Sequence, residues 1–246
     1  MTRDESTSDA PLRWRVSHFD ELDSTNRYAR DRAREGAAAG LVVVADHQRA
    51  GRGRLDRTWE APPGSSLLVS VVLHSPGAPV ETHRAVAATA VALVRALGAV
   101  AGIDAGIKWP NDVVVGDRKL AGILAEQEGE ALIVGLGVNV NWEAFPPELA
   151  DTATACNLEA GETVDRDALL DGFLAALAGA LDDPVGTERA HRELLVTLGR
   201  VVRVSLAGGT VLEGEAVGLG VYGELEVRDA NGVVHGVSAG DVVHLR

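Results

Sequence analysis

Apolar and polar positions change their period several times along the chain. Residues 1–10 (MTRDESTSDA) are polar and acidic, carry no apolar period, and predict a disordered tail. Arg13–Phe19 reads as a short strand. Asp23 or Ser24 then supplies an N-cap for a helix running to about Glu35, with Gly36 as its stop. Leu41–His47 (LVVVADH) and Leu67–Leu73 (LLVSVVL) are β-branched, apolar runs of the kind buried on both faces of a sheet. Between them Gln48–Gly64 has glycine, arginine and proline without apolar periodicity, which predicts a long loop. Val80–Val100 predicts a long apolar helix. Ile107–Trp109 predicts a short strand that Pro110 ends. Val113–Val115 and Lys119–Glu126 read as a hairpin around the Gly116-Asp117 turn, and Ala131–Asn141 (ALIVGLGVNVN) as a further strand. Asp165–Leu181 puts Leu169, Leu170, Phe173, Leu174 and Leu177 on one helix face, and a second helix is expected from about Thr187 to Leu198.

After Gly199 the texture shortens. Alternating segments (VVRVSL, TVLEGEAVGL, ELEVRD, VVHGVS, DVVHL) are separated by Gly208-Gly209, Asn231-Gly232 and Ala239-Gly240. Such spacing predicts a small antiparallel β-barrel of about 45 residues. The expected organisation is a tail at 1–10, a large domain at 11–197 and a small β-barrel domain at 198–246. The fold class is α+β, a mixed sheet with packed helices plus that barrel.

Composition narrows the classes. With 36 acidic and 23 basic residues the formal charge is −13, which repels polyphosphate over most of the surface and argues against general nucleic-acid binding. The longest apolar stretch, Ala85–Ile103, is alanine-rich and broken by Arg95, so it reads as a core helix and no membrane partner is expected. The single cysteine, Cys156, excludes an intramolecular disulfide framework and suits a reducing compartment. No secretory signal is visible, and a cytoplasmic location is expected.

Only two of the 23 basic residues are lysine, Lys108 and Lys119, eleven positions apart. Codon bias explains the scarcity but not the clustering. Arginine is a planar fork and lysine a compact point charge, so a site built for an ammonium rejects the swap. Four segments around these lysines carry candidate chemistry. Gln48–Trp59 (QRAGRGRLDRTW) concentrates arginine in an acidic protein. Gly51 and Gly53 permit close backbone approach, the arginines offer forked donors to carboxylate or phosphate oxygens, and Trp59 offers a flat face. A solvated basic loop is the plain alternative. Lys108-Trp109-Pro110-Asn111-Asp112 sets a cation, an amide and a carboxylate at a strand end, suited to phosphate, a base edge and Mg²⁺ respectively, although Pro-Asn-Asp turns are common. In Arg118–Glu126 (RKLAGILAE) strict alternation points Lys119, Ala121 and Ile123 to one face, while Ala121 and Gly122 leave room for a ligand. In Gly135–Asn141 (GLGVNVN) the asparagines serve a site or cap the strand end.

These segments, GRGR followed by an arginine and a tryptophan, then KWPND, RKLAGIL and G-x-G-x-N, together resemble the biotin–protein ligase family. Ser24-Thr25-Asn26 matches an early element of the same family. The resemblance covers about residues 12–246. It departs at Leu55-Asp56, where some members carry Arg-Gly, and at the N-terminus, where bifunctional members carry a winged helix-turn-helix for which this chain leaves no room. The implied fold is the class II aminoacyl-tRNA-synthetase-like biotin–lipoate ligase fold with an SH3-like C-terminal barrel. The implied activity is ATP-dependent activation of biotin to biotinyl-5′-AMP and transfer to a lysine of a biotin carboxyl carrier domain. ATP and biotin are then substrates, with Mg²⁺, and the protein is expected as a monomer or weak homodimer. By the same resemblance Lys119, Arg54 and Arg52 are the catalytic candidates. Ser24, Thr25, Asn26, Gln48, Gly51, Arg52, Gly53, Arg54, Lys119 and Gly122 are candidates for biotin. Arg54, Arg57, Trp59, Lys108, Asn111, Lys119 and Asn139 are candidates for ATP, and Asp112 for the metal.

Other signals carry less. Gly218–Gly223 spells G-x-G-x-x-G, but a strand and turn follow it instead of a helix, so it is no dinucleotide fingerprint. The histidines are scattered, and Ser65-Ser66 lacks an elbow context. A lipoate or octanoate ligase of the related fold and a non-catalytic biotin-binding protein are the competing readings. The GRGR and KWPND pair weighs against the first, and retention of Lys119, Arg54 and Trp59 together against the second.

Overall fold

A computed structural model describes residues 13–55, 57–75, 79–206, 210–238 and 240–245. The expected tail at 1–10, Asp56, the Gly208-Gly209 turn and Ala239 lie outside the described residues. Seven strands form one sheet in the order β1-β2-β3-β7-β6-β5-β4. They are β1 (Arg15–Leu22), β2 (Leu41–Gln48), β3 (Ser66–His74), β4 (Gly106–Lys108), β5 (Asp112–Val115), β6 (Arg118–Glu128) and β7 (Ala131–Asn139). The β1–β2 pair is parallel and every other pair antiparallel, so the sheet is mixed.

The apolar runs are continuous because both faces are covered. On β2, Val42 and Val44 join the large core while Val43 joins a smaller cluster with Ala29. Helix α1 (Thr25–Arg34) supplies that smaller side. Ser24 caps it by accepting from Arg27 N. The large core fills the other face beneath α2 (Pro79–Ala101) and α4 (Arg166–Asp182). By length and composition α2 is apolar enough to cross a membrane, but Ala92, Leu93, Ala96 and Leu97 are buried in this core. A five-residue helix α3 (Cys156–Ala160), too short to leave a period, precedes α4. Helix α5 spans Pro184–Leu194, not Thr187–Leu198. Asp183 caps it with Pro184 in its first turn, and the chain then leaves the helix because Val196 N donates to Ile107 O beside β4.

The C-terminal strands β8 (Val201–Ser205), β9 (Val211–Leu219), β10 (Leu225–Arg228), β11 (Val234–Val237) and β12 (Asp241–His244) form an antiparallel sheet ordered β11-β10-β9-β8-β12. Trp109 pins it to the large sheet. Its indole Nε1 donates to Gly223 O at 2.9 Å, and its backbone N–H donates to Thr197 Oγ1 at 3.1 Å.

His191 sits in this junction, 3% exposed, with its ring edge-on to His83 at 5.6 Å between centroids. Burial first, then the charges of His83 and Arg192, draws its pKa down to about 4. The unfolded chain therefore takes up this proton first. Stability from this group is complete above about pH 6.5, falls as pH drops towards 4, and levels off below. That interval corresponds to about 3 kcal/mol at most. Denaturant midpoints between pH 4 and 7 check it: His191→Leu should flatten the slope, and an unchanged slope would assign the loss elsewhere.

Candidate functional site

The sheet face that carries α1 runs out of helix beyond Asn26, and small residues take over. Gly122, Gly135 and Gly137 form the floor of a cavity of about 550 Å³. Ser24, Thr25, Asn26 and Gln48 close one end, the Gly51–Trp59 loop one side, Lys108–Asp112 and Lys119 the other end. Ser205, Asp241, Val242 and Val243 of the small domain complete the rim.

The first end is uncharged and ordered. Gln48 Oε1 accepts from Thr25 N at 2.7 Å and from Thr25 Oγ1 at 3.0 Å. The Ser70 hydroxyl lies 2.7 Å from Thr25 Oγ1 and 2.6 Å from Asn26 Oδ1. Ser70 has one proton to share between them, so this row of amides and hydroxyls can present either donors or acceptors. The other end is charged. Lys119 Nζ lies 2.7 Å from Asp112 Oδ1 and 5.6 Å from the Trp59 ring centre. Arg54 donates to Asn111 Oδ1 at 3.1 Å, and Asn111 Nδ2 donates to Ile123 O at 2.6 Å. Burial lowers the pKa of the Arg54 guanidinium, with Asp112 and Asp241 opposing. Lys108 lines this end as well.

The loop is a small hairpin. Trp59 N donates to Gly51 O, Gly53 N to Arg57 O, and Arg52 bridges Thr58. Ion pairs anchor the segment: Arg49 pairs with Asp23, Arg52 with Glu126 and Arg57 with Asp241. Trp59 lies flat on the glycine floor, with a Cβ on Gly137 falling 2.6 Å from its Cε2. Gly51 does not line the cavity. Its Cα approaches the Trp59 carbonyl too closely for any side chain.

Two further sequence expectations change, at β6 and at Asn139, and Trp109, for which none was made, takes a structural place. Lys119 shares the cavity face with Gly122, while the side chains of Ala121 and Ile123 belong to the core, Ile123 also meeting the cavity, where its carbonyl accepts from Asn111. The cause is an irregularity in the β5–β6 register: Val113 pairs Ala121 and Val114 pairs Lys119, so Leu120 is an extra residue and inverts the alternation. Trp109 of the KWPND segment serves the domain junction. Asn139 is 5% exposed, donates to Thr154 O at 3.0 Å and stands outside the cavity lining. Sequence reasoning passed over Ser70, Glu126 and Asp241. Glu126 follows Gly122 and Leu124 at every second position of β6, but the alternation counted from Lys119 puts it on the opposite face. Among the described residues no group of three or more His, Cys, Asp or Glu side chains is placed to hold a metal. Asp112 is one carboxylate at the charged end, which fits a Mg²⁺ held largely by phosphate and water oxygens.

Residues 18–141 match the Biotin/lipoate A/B protein ligase family, and residues 197–245 the Biotin protein ligase C terminal domain. The chain is 35% identical over 238 residues to a biotin–[acetyl-CoA-carboxylase] ligase of Mycobacterium tuberculosis, covering 92% of this chain and 87% of that one. It is 32% identical over 231 residues to the bifunctional ligase/repressor BirA of Bacillus subtilis, covering 91% of this chain. The chain spans 65% of the length of that bifunctional relative. A biotin protein ligase from Aquifex aeolicus, solved in complex with biotin and ATP, superposes with a TM-score of 0.81 at 27% identity, covering 94% of this chain and 98% of the other.

Proposed function

Since the chain belongs to the Biotin/lipoate A/B protein ligase family, we propose that it activates biotin with ATP and transfers the biotinyl group to a lysine of a biotin carboxyl carrier domain. The observation that carries this is the two-ended cavity, with neutral amides and hydroxyls at one end and Lys119, Arg54 and Lys108 at the other. A cyclic urea has both N–H donors and a carbonyl acceptor, and the Ser24–Gln48 end offers partners for both. The valerate chain runs from that end towards the other, and its carboxylate meets the cations.

The carboxylate oxygen attacks the α-phosphorus of ATP and pyrophosphate leaves. Two anions must approach, so Lys119 stands between carboxylate and α-phosphate, with Arg54, Arg57 and Lys108 around the phosphates and Arg52 held beside Asn26 on the biotin side. Gly53 lets the loop backbone pass close over the acyl phosphate. Trp59 and Asn111 receive the adenine. Asn139 acts on this end only through the Thr154 backbone. Asp112 would hold Mg²⁺, which supplies charge neutralisation on the pyrophosphate leaving group. The mixed anhydride hydrolyses in water, so the Gly51–Trp59 hairpin covers it. The carrier amine then attacks the acyl carbon and AMP leaves. Nothing in these steps needs a covalent nucleophile on the enzyme. In this reading residues 11–197 form the catalytic part and 198–246 its accessory domain. The protein works in the cytoplasm as a monomer or weak homodimer, without nucleic acid.

Exchange of labelled pyrophosphate into ATP tests the reading. Exchange is expected with biotin and not with lipoate, and the reverse preference would reassign the substrate. A salt-resistant, sequence-dependent shift of a DNA duplex would add a function that this reading leaves out.

A further inference from the structure

Glu126 lies one step beyond the cavity lining yet touches two residues that form it. Its carboxylate is 20% exposed at the end of β6. Arg52 Nη2 donates to both carboxylate oxygens, at 2.8 and 2.7 Å. Asn26 Nδ2 donates to Oε2 at 2.8 Å, and Arg30 Nη1 approaches Oε1 at 3.5 Å. One acidic group thus ties β6 to the loop and to the start of α1.

The shorter of two bonds from Asn26 Nδ2 goes to Glu126, and together with the one to Leu124 O it sets which way that amide faces. Asn26 Nδ2 meets Glu126 Oε2 and Leu124 O, both acceptors only. Turning the amide over would set Oδ1 against two acceptors and take Nδ2 to Ser70. With Glu126 in place Oδ1 faces the Ser70 hydroxyl at 2.6 Å. Asn26 Oδ1 packs directly over Gly135, in the space that a Cβ there would take. The orientation of Asn26 biases the Ser70 proton, and Ser70 stands beside Thr25 and Gln48. We propose that Glu126 is a positioning residue for the uncharged end of the cavity. It fixes the donor and acceptor pattern that receives the ring of the substrate, while anchoring Arg52 at the loop. This deepens the ligase reading and rests on it.

The test is Glu126→Gln in the full chain, with KM for biotin and for ATP taken separately from pyrophosphate exchange. A glutamine oxygen can accept from Asn26 or from Arg52, while its NH₂ group faces the other donor. Biotin KM is expected to rise about tenfold or more, the range of one lost charge-assisted hydrogen bond, with ATP KM within about twofold. Glu126→Asp keeps both acceptors and the charge and should recover part of the loss. A residue that merely supports the fold would lower kcat through fewer active molecules and leave biotin KM unchanged. Unchanged biotin KM, or equal rises in both KM values, overturns the proposal. The unaltered protein is titrated with biotin by calorimetry in the same series. No binding and no exchange there overturns the ligase reading and this role with it, whereas normal behaviour there with a normal variant overturns this role alone.

Discussion

Lys119→Ala should lower biotin-dependent pyrophosphate exchange by about 10²–10³-fold, the scale of removing one preorganised donor from a developing charge. Lys119→Arg should lose most of that activity too, although it keeps the charge. The ammonium works in a narrow slot. Nζ lies 2.7 Å from Asp112, 5.6 Å from the Trp59 ring centre and 3.1 Å from the place a Gly122 Cβ would take. A planar guanidinium would have to displace the indole or the carboxylate to fit. Lys119 is 38% exposed, and water can serve Asp112 once the lysine is gone, so the unfolding midpoint should hardly move. The measurement is exchange rate beside thermal midpoint for both variants. Near-normal exchange in Lys119→Arg would make the residue peripheral and shift the burden to Arg54.

How Lys119 reaches the cavity shows where sequence pattern stops. Period-two alternation identifies β6 and its approximate ends, but it cannot reveal an inserted residue. Leu120 turns Lys119 to the face opposite to the one alternation gives. The buried strands β2, β3 and β7 were legible because their apolar runs need no phase: both faces are covered. The α1 cap was legible because Ser24 acts within its own turn. Trp109 was not, since its partner Gly223 lies 114 residues away in the turn between β9 and β10. A separation of 184 residues hides Asp241, which holds Arg57 and completes the rim from a segment that reads only as a short barrel strand. Local chemistry marks the loop as anion-binding. It does not show that carboxylates from β6, β12 and the turn before α1 already pair with Arg49, Arg52 and Arg57 and leave Arg54 to Asn111. The start of α5 was readable after all, because Asp183-Pro184 is a cap followed by a first-turn proline.

Two neighbouring glycines on β7 should fail in different ways when each becomes alanine. Residues 135 and 137 point to the same face, so both added methyl groups enter the cavity floor. At Gly135 the methyl meets Asn26, whose Cγ would lie 2.8 Å away. Asn26 is 4% exposed and bonded to Ser70, Leu124 and Glu126, so it can yield only by giving up those bonds. Overpacking of this kind costs about 1–3 kcal/mol, and the expected result is a lower unfolding midpoint together with a biotin KM raised about 10–100-fold. At Gly137 the methyl meets Trp59, with Cε2 at 2.6 Å and Nε1 at 2.9 Å. The indole belongs to a surface hairpin and can lift, so the fold should keep its midpoint. A lifted Trp59 leaves the acyl phosphate open to water. Gly137→Ala should therefore raise ATP KM, because the lifted indole no longer receives the adenine, and should lose the adenylate faster, which the ATP dependence of exchange and release of labelled AMP without carrier protein would record. Equal biotin KM increases in the two variants, with no extra AMP release at position 137, would mean that the floor acts as one steric unit and that Trp59 does not serve as its cover.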